Sequence, residues 1–310
     1  MLFRSVNPNH IVNNQVSPFV FGTWFTFAKN ANITNPSVND LRWFTVQNLA
    51  PVSLNQTTFD LGIYQVRGAT FPLNPLAQLE NVGSAKLRFH NCTEASLEFS
   101  MNSNSFVGAE PLSVIRLERV QPPQRCHEND QNQAEISNAS LHPINETIMR
   151  NFGRSGIWSV PGSGGHGIFI EQNSNVDLPF LGWFTSTTGV NSWLPDSQRL
   201  RWFTLQPVYD GSSRRATGAY DSNGTLNLRI YLSAGGTFGI TGNSTATEVG
   251  TASLQVVSGG APGPCNSLSF TYAFNNTAAA GEFAGLNNIG SPYLYEKLGA
   301  PHPLCTTPEL

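Results

Sequence analysis

Charged residues are scarce in this chain of 310 residues. They make up 12% of the sequence, about half of the usual globular fraction, and lysine is nearly absent. Asn, Ser, Thr and Gly fill the gap, and such an uncharged polar surface is more typical of an extracellular protein than of a cytosolic one. The net charge of −3 argues against a nucleic-acid partner, which would need a basic stripe.

Long hydrophobic runs are missing too. No run of roughly 18 apolar residues occurs, so we expect no membrane span. The start, Met1–Arg4, leads directly into polar residues and does not resemble a signal peptide, so either the leader has been removed or the start is incomplete. The hydrophobic content of 39% supports packed cores, and the length is enough for two ordinary domains.

Recognisable catalytic motifs are absent as well. There is no Gly-x-Ser-x-Gly elbow and no His-Glu-x-x-His, and no Lys-Ser/Thr follows the Gly-rich stretch 162–167, which therefore predicts a hairpin turn and not a phosphate loop. Of six scattered histidines, only His90 lies near a predicted structural landmark, and it has no evident acid partner. We predict no enzymatic activity, no metal and no cofactor. A Ser/His/Asp arrangement assembled in space stays the alternative, and it predicts a pocket where a histidine meets a carboxylate.

The clearest feature that is present is a repeat. Leu41–Gln47 (LRWFTVQ) returns as Leu200–Gln206 (LRWFTLQ), and the Trp-Phe-Thr at 24–26 returns at 183–185. Both pairs are 159 residues apart, and two tryptophan-containing matches at one offset indicate a tandem duplication. We predict module one at residues 1–126, a linker at 127–150 that is rich in Asn, Gln and Glu, and module two at residues 151–310.

Both modules are predicted to be all-β. Short segments that alternate apolar and polar residues, such as 41–47 and 95–101, are separated by Gly, Asn and Pro, and no segment keeps a helical period. Many short strands with frequent turns predict two antiparallel β-sandwiches or barrels. Asp40 and Asp196 precede the matched Arg-Trp-Phe strands, and we expect them to pair with Arg42 and Arg201 or to cap the loops.

The four cysteines follow the repeat. They permit three connectivities, and the repeat favours Cys92–Cys126 and Cys265–Cys305, one disulfide in each module. A zinc site is the rival interpretation, but no Cys-x-x-Cys is present. Disulfides would place the protein in an oxidising compartment.

The two modules differ at their start. Module two has a segment with Trp158, the Gly-rich turn and the segment Ile168–Gln172 before Trp183, whereas module one has only about twenty residues before Trp24. Module one is therefore predicted to lack part of an opening hairpin, which would leave an unpaired sheet edge. Either the sequence record is truncated, or a neighbouring chain donates the strand. The candidate donors are the stretch Leu2–Val12 and the apolar residues of the linker.

The order of these motifs resembles a known kind of domain. Gly-x-Trp at 156, Gly-x-Gly and three apolar residues before Glu171, Trp-Phe-Thr at 183, Arg-Trp-Phe at 201 and the two cysteines of module two are similar to a domain repeated in secreted bacterial proteins. That domain is largely of unknown function and is often appended to secreted hydrolases. The resemblance covers 156–305 and, in module one, about 24–126. The resemblance implies that each module has the fold of this domain, and it does not point to any catalytic residue. Chains made only of such domains also resemble subunits of extracellular fibres.

Surface candidates complete the prediction. The matched tryptophans 24, 43, 183 and 202 favour core packing over a sugar-binding platform, whereas Trp193 in a loop of module two is the better candidate for an exposed ligand contact. Eight Asn-x-Ser/Thr sequons could carry glycans in a suitable host. They begin at Asn32, Asn55, Asn91, Asn138, Asn145, Asn223, Asn243 and Asn275.

Together these features predict a glycosylated structural subunit of an extracellular or cell-surface filament. It would self-associate head to tail into a homopolymer, with a donated strand completing module one. The alternative is a secreted carbohydrate-binding or adhesive module, which predicts exposed tryptophans and glycan binding through Trp193.

Overall fold

The computed structural model of the chain describes residues 2–7, 11–12, 15–16, 19–32, 34–35, 37–49, 56–72, 77–91, 93–118, 155–173, 178–191, 193–208, 225–238, 244–257 and 267–298.

The described part of module one forms an open antiparallel sheet. Its strands are β1 (Leu2–Asn7), β2 (Ile11–Val12), β3 (Gln15–Val16), β4 (Phe19–Phe27), β5 (Leu41–Asn48), β6 (Thr58–Arg67), β7 (Gln78–Phe89), β8 (Glu94–Met101) and β9 (Glu110–Glu118). Seven of them pair in the order β1-β4-β5-β6-β7-β8-β9, and the short β2 and β3 pair with each other. No described strand joins the two ends of this sheet, β1 and β9.

In module two, too, strands that follow one another in the chain are neighbours in the sheet, but this sheet closes. Its strands are β10 (Gly156–Ser159), β11 (Gly167–Asn173), β12 (Leu178–Ser186), β13 (Leu200–Pro207), β14 (Thr225–Ala234), β15 (Thr245–Val256), β16 (Ser267–Phe274) and β17 (Tyr293–Lys297). They follow one another around an eight-stranded barrel. Closure is made where β10 pairs antiparallel with β17, with Trp158 opposite Lys297 and Ser159 opposite Glu296. The prediction of an all-β fold with two tandem modules is confirmed.

Apolar and polar residues alternate along the strands that form each core. In β8, Ala95, Leu97 and Phe99 are buried, while Glu98 between them is exposed. Burial alternates in the same way along β16, the matched strand of module two. This period of two is what the pleat of a strand requires when one face is packed and the other faces solvent.

In the part of the chain that the structure describes, the helices are short turns in the loops. A one-turn α-helix spans Asp196–Arg199, and 3₁₀ turns span Val38–Asp40, Gly189–Asn191 and Ala278–Phe283. In the described ranges, no helix has the length and apolar character that crossing a membrane demands.

The duplicated tryptophan motifs form the contact between the two modules. Trp43 Nε1 donates a hydrogen bond of 3.0 Å to the carbonyl oxygen of Thr185, and Trp202 Nε1 donates one of 3.3 Å to the carbonyl oxygen of Thr26. The donors are matched residues of the repeat, and so are the acceptors. The contact is therefore reciprocal, as in an isologous dimer, although both halves belong to one chain.

Aromatic packing follows the same reciprocal pattern. The ring of Phe25 lies 5.3 Å from that of Trp202, and the ring of the matched Phe184 lies 5.1 Å from that of Trp43. Trp43 and Trp202 are 0% and 7% exposed. These two tryptophans thus face the other module, while Trp24 and Trp183 are buried inside their own modules. The preference for packing over a sugar-binding platform agrees with these positions.

A phenylalanine from each module enters the core of the other. After β6, the backbone N–H of Phe71 donates to the carbonyl oxygen of Thr187 at 2.7 Å. After β14, the N–H of the matched Phe238 donates to the carbonyl oxygen of Ala28 at 3.3 Å, and Ala28 and Thr187 are again 159 residues apart. The loops that follow β6 and β14 therefore cross the interface in matched positions.

The two inserted rings pack against core aromatics of the receiving module. Phe71 lies 6.0 Å from Trp183 and 5.3 Å from Phe283 in module two. Phe238 lies 5.4 Å from Trp24 and 6.0 Å from Phe99 in module one. Each core is thus completed by a side chain that the other module supplies.

Candidate functional site

The gap between β1 and β9 is the main structural difference between the modules. Residue Thr23 of β4 lies opposite Leu2 of β1, and its matched residue Gly182 of β12 lies opposite Phe169 of β11. β1 therefore occupies the position that β11 has in module two. The position of β10, between β11 and β17, has no counterpart among the described strands of module one.

This finding refines the prediction about the opening hairpin. One of its two strands is present in module one, because Leu2–Asn7 pairs with β4 of the same chain. The stretch Leu2–Val12, expected as a possible donor to a neighbouring chain, is thus used within the chain over Leu2–Asn7. Among the described strands, one strand of the hairpin has no counterpart in module one. We call this position, which no described strand fills, the strand gap.

The β9 side of the strand gap has an apolar inner face, whereas its outer face mixes apolar residues with the charged Arg116 and Glu118. Ile115 and Leu117 point toward the core and are only partly covered. On the opposite face, Leu112 and Val114 are 68% and 66% exposed. An edge strand whose inner apolar residues, here Ile115 and Leu117, are only partly covered is the kind of edge that pairs with a further chain segment.

Strand β10 shows what the corresponding position holds when it is filled. Its side chains Ile157 and Trp158 are 5% and 0% exposed. A tryptophan buries ~150–250 Å², which at ~25 cal/mol per Å² contributes roughly 4–6 kcal/mol before the entropy cost of ordering the strand. A strand of comparable character in the gap would therefore gain substantial stabilisation.

The Gly-rich turn between β10 and β11 lies against module one. A Cβ atom at Gly165 would lie 2.8 Å from side-chain atoms of Ala69 and Val66, and one at Gly164 would lie 2.9 Å from the Ala77 Cβ. Glycine at both positions allows this close approach. The turn thus has a packing role, as a hairpin turn at the module interface.

A buried carboxylate organises the loop that follows β12. Glu282, in the 3₁₀ turn before β17, accepts hydrogen bonds from Asn191 Nδ2 at 2.8 Å, from the Thr188 N–H at 3.0 Å and from the Thr187 hydroxyl, and pairs with Arg201 Nε at 2.7 Å. Burial alone would raise the pKa of Glu282, but the charge of Arg201 and these hydrogen bonds together lower it. The carboxylate is therefore ionised and holds the loop in place.

The ion pairing of Arg201 differs from the expectation. Arg201 pairs with Glu282, whereas Asp196 lies 3.4 Å from Arg199 and accepts a hydrogen bond of 3.2 Å from the Gly68 N–H. Arg201 Nη2 also donates to Asn39 Oδ1 of module one at 2.8 Å. Of the two expected roles of Asp196, the pairing with Arg201 was wrong, because the carboxylate of Glu282, distant in sequence, pairs with that guanidinium. The hydrogen bond that Asp196 accepts from the Gly68 N–H is of the kind expected of a loop cap.

Arg42, the matched arginine of module one, uses backbone acceptors. Its Nη1 donates to the carbonyl oxygens of Asn39 and Leu41 at 2.7 and 2.8 Å. Burial lowers the pKa of Arg42 to about 10, with Asp40 opposing and Arg201 adding to the shift. Asp40 therefore acts on Arg42 through its charge, and the two arginines lie close enough across the interface to influence each other.

His166 is a hydrogen-bonded core residue inside the barrel of module two. Its Nδ1 lies 2.9 Å from the Thr185 hydroxyl, and its Nε2 contacts the Tyr295 hydroxyl and, at 3.4 Å, Trp183 Nε1. Burial lowers the pKa of His166 to about 3. The imidazole is therefore neutral at ordinary pH and serves packing and hydrogen bonding.

His90 lies on the surface. Its Nε2 is 2.9 Å from the Ser96 hydroxyl, but within the described ranges no carboxylate is hydrogen-bonded to its ring. In the same ranges no three His, Cys, Asp or Glu side chains form a group that could hold a metal ion.

Trp193 projects from a well-anchored loop. It is 75% exposed, and Val190 in the preceding turn is 83% exposed. The next residue, Leu194, is buried, and its carbonyl oxygen accepts a hydrogen bond of 2.6 Å from Arg199 Nε. The exposure expected for Trp193 is thus what the structure has.

Three of the eight sequon asparagines lie in the described residues, and all three are exposed: Asn32, Asn91 and Asn275. The other sequon asparagines, Asn55, Asn138, Asn145, Asn223 and Asn243, lie outside the described residues. The four cysteines, Cys92, Cys126, Cys265 and Cys305, lie outside them too, as does the linker 127–150, so the disulfides and the domain bounds stay predictions.

Comparison with known proteins adds no functional assignment. No protein-family model matches the chain, and no curated protein matches it either. The resemblance to repeated domains of secreted bacterial proteins therefore stays a prediction from the sequence motifs.

Proposed function

We propose that this protein is a structural subunit of an extracellular fibre or surface filament, in which a strand from a neighbouring subunit fills the strand gap of module one. The single observation that carries the proposal is the contrast between the open sheet of module one and the closed barrel of module two. A donated strand would pair with β1 and β9 as β10 pairs with β11 and β17.

The geometry of strand donation leads to a filament. The donor segment and the gap are different surfaces of the same chain, so the contact is heterologous and propagates unless it closes into a ring. The low charge of the sequence supports close association between copies, because few charges would need to be desolvated. An extracellular location follows from the same composition and from the predicted disulfides.

Electron microscopy of the natively isolated protein tests this proposal. We expect regular filaments with strand density between β1 and β9 that crosses from one subunit to the next. Single compact particles, or a gap filled by a segment of the same chain, would refute it.

A pair of adjacent substitutions in β9 sharpens the experiment. Ile115→Lys places a charge on the inward face beside the gap and should abolish filaments, since an inward-pointing charge on an edge strand opposes pairing. Val114→Lys places the same charge on the outward face, where the side chain is 66% exposed, and should leave filaments intact. Circular dichroism of both variants separates loss of assembly from loss of fold.

A carbohydrate-binding or adhesive role is the second candidate, and the exposure of Trp193 favours it. Aromatic faces are common contacts for sugars and cations. The loop around Trp193 is held by the Glu282 carboxylate, so the indole would be presented on a fixed support. This role predicts glycan binding that Trp193→Ala removes.

A further inference from the structure

The outer face of the sheet carries different charges in the two modules. In module one, Asp60 of β6 lies opposite Lys86 of β7, and Lys86 lies opposite Glu98 of β8. Lys86 Nζ is 3.2 Å from Asp60 Oδ1. Three adjacent strands therefore present a row of three charged side chains to solvent.

The matched row of module two has no charge. Asn227 of β14 lies opposite Ser253 of β15, and Ser253 lies opposite Thr271 of β16. The equivalence of the rows is fixed by a shared irregularity, because the pairing shifts by one residue after Ile63 in module one and after the matched Ile230 in module two. In this row, amide and hydroxyl groups thus replace an acid, a base and an acid on the same scaffold.

A shallow cleft runs over this uncharged row. Its volume is about 240 Å³, and Thr251 and Ala273 of the next row also line it. Val208 and Ile289 also line it and are 47% and 65% exposed. Trp193 is not among its lining residues, so the cleft and Trp193 are separate features.

We infer that this cleft binds a neutral polysaccharide. Hydroxyl and amide side chains both donate and accept hydrogen bonds, as sugar hydroxyls do, and they can be covered without the large cost of desolvating a charge. The exposed aliphatic side chains of Val208 and Ile289 suit the C–H faces of sugar rings. A strongly anionic or cationic partner would find no counter-charge in the row of Asn227, Ser253 and Thr271, and Arg229, opposite Thr251 in the next row, is already paired with Glu248 at 2.7 Å. This inference does not depend on strand donation.

The charged row of module one provides the test substitution. The double variant Ser253→Lys/Thr271→Glu gives module two the residues that module one carries at the same two positions, where the fold accommodates them. The matched control is Lys86→Ser/Glu98→Thr, which makes the reverse change in module one. Both are made in the full chain, and circular dichroism checks that each is folded.

Binding is measured by co-sedimentation with microcrystalline cellulose, chitin and insoluble starch. We expect the wild type to bind at least one of them, the Ser253→Lys/Thr271→Glu variant to bind at least tenfold more weakly, and the control to bind as the wild type does. Absence of wild-type binding to all three would overturn the inference. Binding that survives in the double variant, or that Trp193→Ala alone abolishes, would overturn it too.

A second copy of this chain could cover the cleft in place of a polysaccharide, and sedimentation velocity distinguishes these two cases. If the double variant lost self-association and kept its polysaccharide binding, the face would be an interface between copies and the inference would be wrong. If self-association were the same in both proteins while polysaccharide binding fell, the assignment would stand.

Discussion

Replacing Phe71 by alanine should destabilise the module to which Phe71 does not belong. Phe71 follows β6 of module one, yet its ring is packed among Trp183, Tyr272 and Phe283 of module two at centroid distances of 5.3–6.0 Å, and it is 5% exposed. Removing a buried phenylalanine side chain costs about 3–5 kcal/mol through lost burial and the cavity left behind. We expect a loss of this size, located in the barrel of module two.

Hydrogen exchange locates the effect. In Phe71→Ala, the amides of β12 and β16 should exchange faster, while those of β4 and β8 change less. The control is Phe238→Ala. Phe238 belongs to module two in sequence, but its ring packs in the core of module one against Trp24 and Phe99. Its effect should be the reverse, with faster exchange in β4 and β8.

The crossed pattern is what the reasoning requires. If each substitution chiefly loosened the module that carries it in sequence, the rings would not be exchanged across the interface. A loss of less than 1 kcal/mol in Phe71→Ala, measured by urea unfolding, would contradict the packing described for this ring.

Two further predictions concern buried polar groups. Glu282→Gln leaves the guanidinium of Arg201, whose side chain is 1% exposed, without its carboxylate, and should lower the free energy of unfolding by about 3–5 kcal/mol. The control Glu248→Gln, in an exposed pair, should lower it by under about 1 kcal/mol. Equal losses of stability in urea unfolding would contradict the role of burial. The second prediction concerns His166, whose pKa is about 3 in the folded state against about 6.5 in the unfolded state. As pH falls from about 6.5 toward 3, the unfolded state takes up a proton at this residue and the folded state does not, so stability is lost over this range. Between pH 7 and pH 5 this contributes a loss of about 2 kcal/mol, which His166→Asn should lack; an equally steep pH dependence in both proteins would refute it.

The duplication, most strand positions and the incomplete opening hairpin of module one could be predicted from the sequence, because each leaves a local signal, whereas the pairing of Leu2–Asn7 with β4 was not predicted. The repeat fixes matched positions, and alternation of burial in strands such as β8 marks the core face. The contact between the modules was not predicted, although the sequence of β5 contains a signal for it. All residues from Leu41 to Val46 are buried, and a strand with large apolar residues such as Trp43 and Phe44 on successive positions must be covered on both faces.

The partner of Arg201 could not be predicted in the same way. Glu282 is separated from Arg201 by 81 residues in sequence, and it lies in a turn between β16 and β17 that is longer than the matched turn of module one, residues 102–109. The duplication therefore offers no matched acid to compare. The nearer residue Asp196 is the natural expectation from sequence, and only the folded arrangement brings Glu282 to the guanidinium.

The exchanged phenylalanines explain how module one keeps a packed core although its sheet is open. Trp24 and Phe99 are 4% and 2% exposed in a module whose described strands leave the sheet open, because Phe238 from module two packs against both of them. The adjoining strands β4 and β5 are covered on their other face by the module contact. The packing of the module-one core therefore does not depend on a further strand beside β9. A strand that enters the gap would add to an already ordered sheet. The entropy cost of binding would therefore come mainly from ordering the strand itself and only to a small extent from ordering module one.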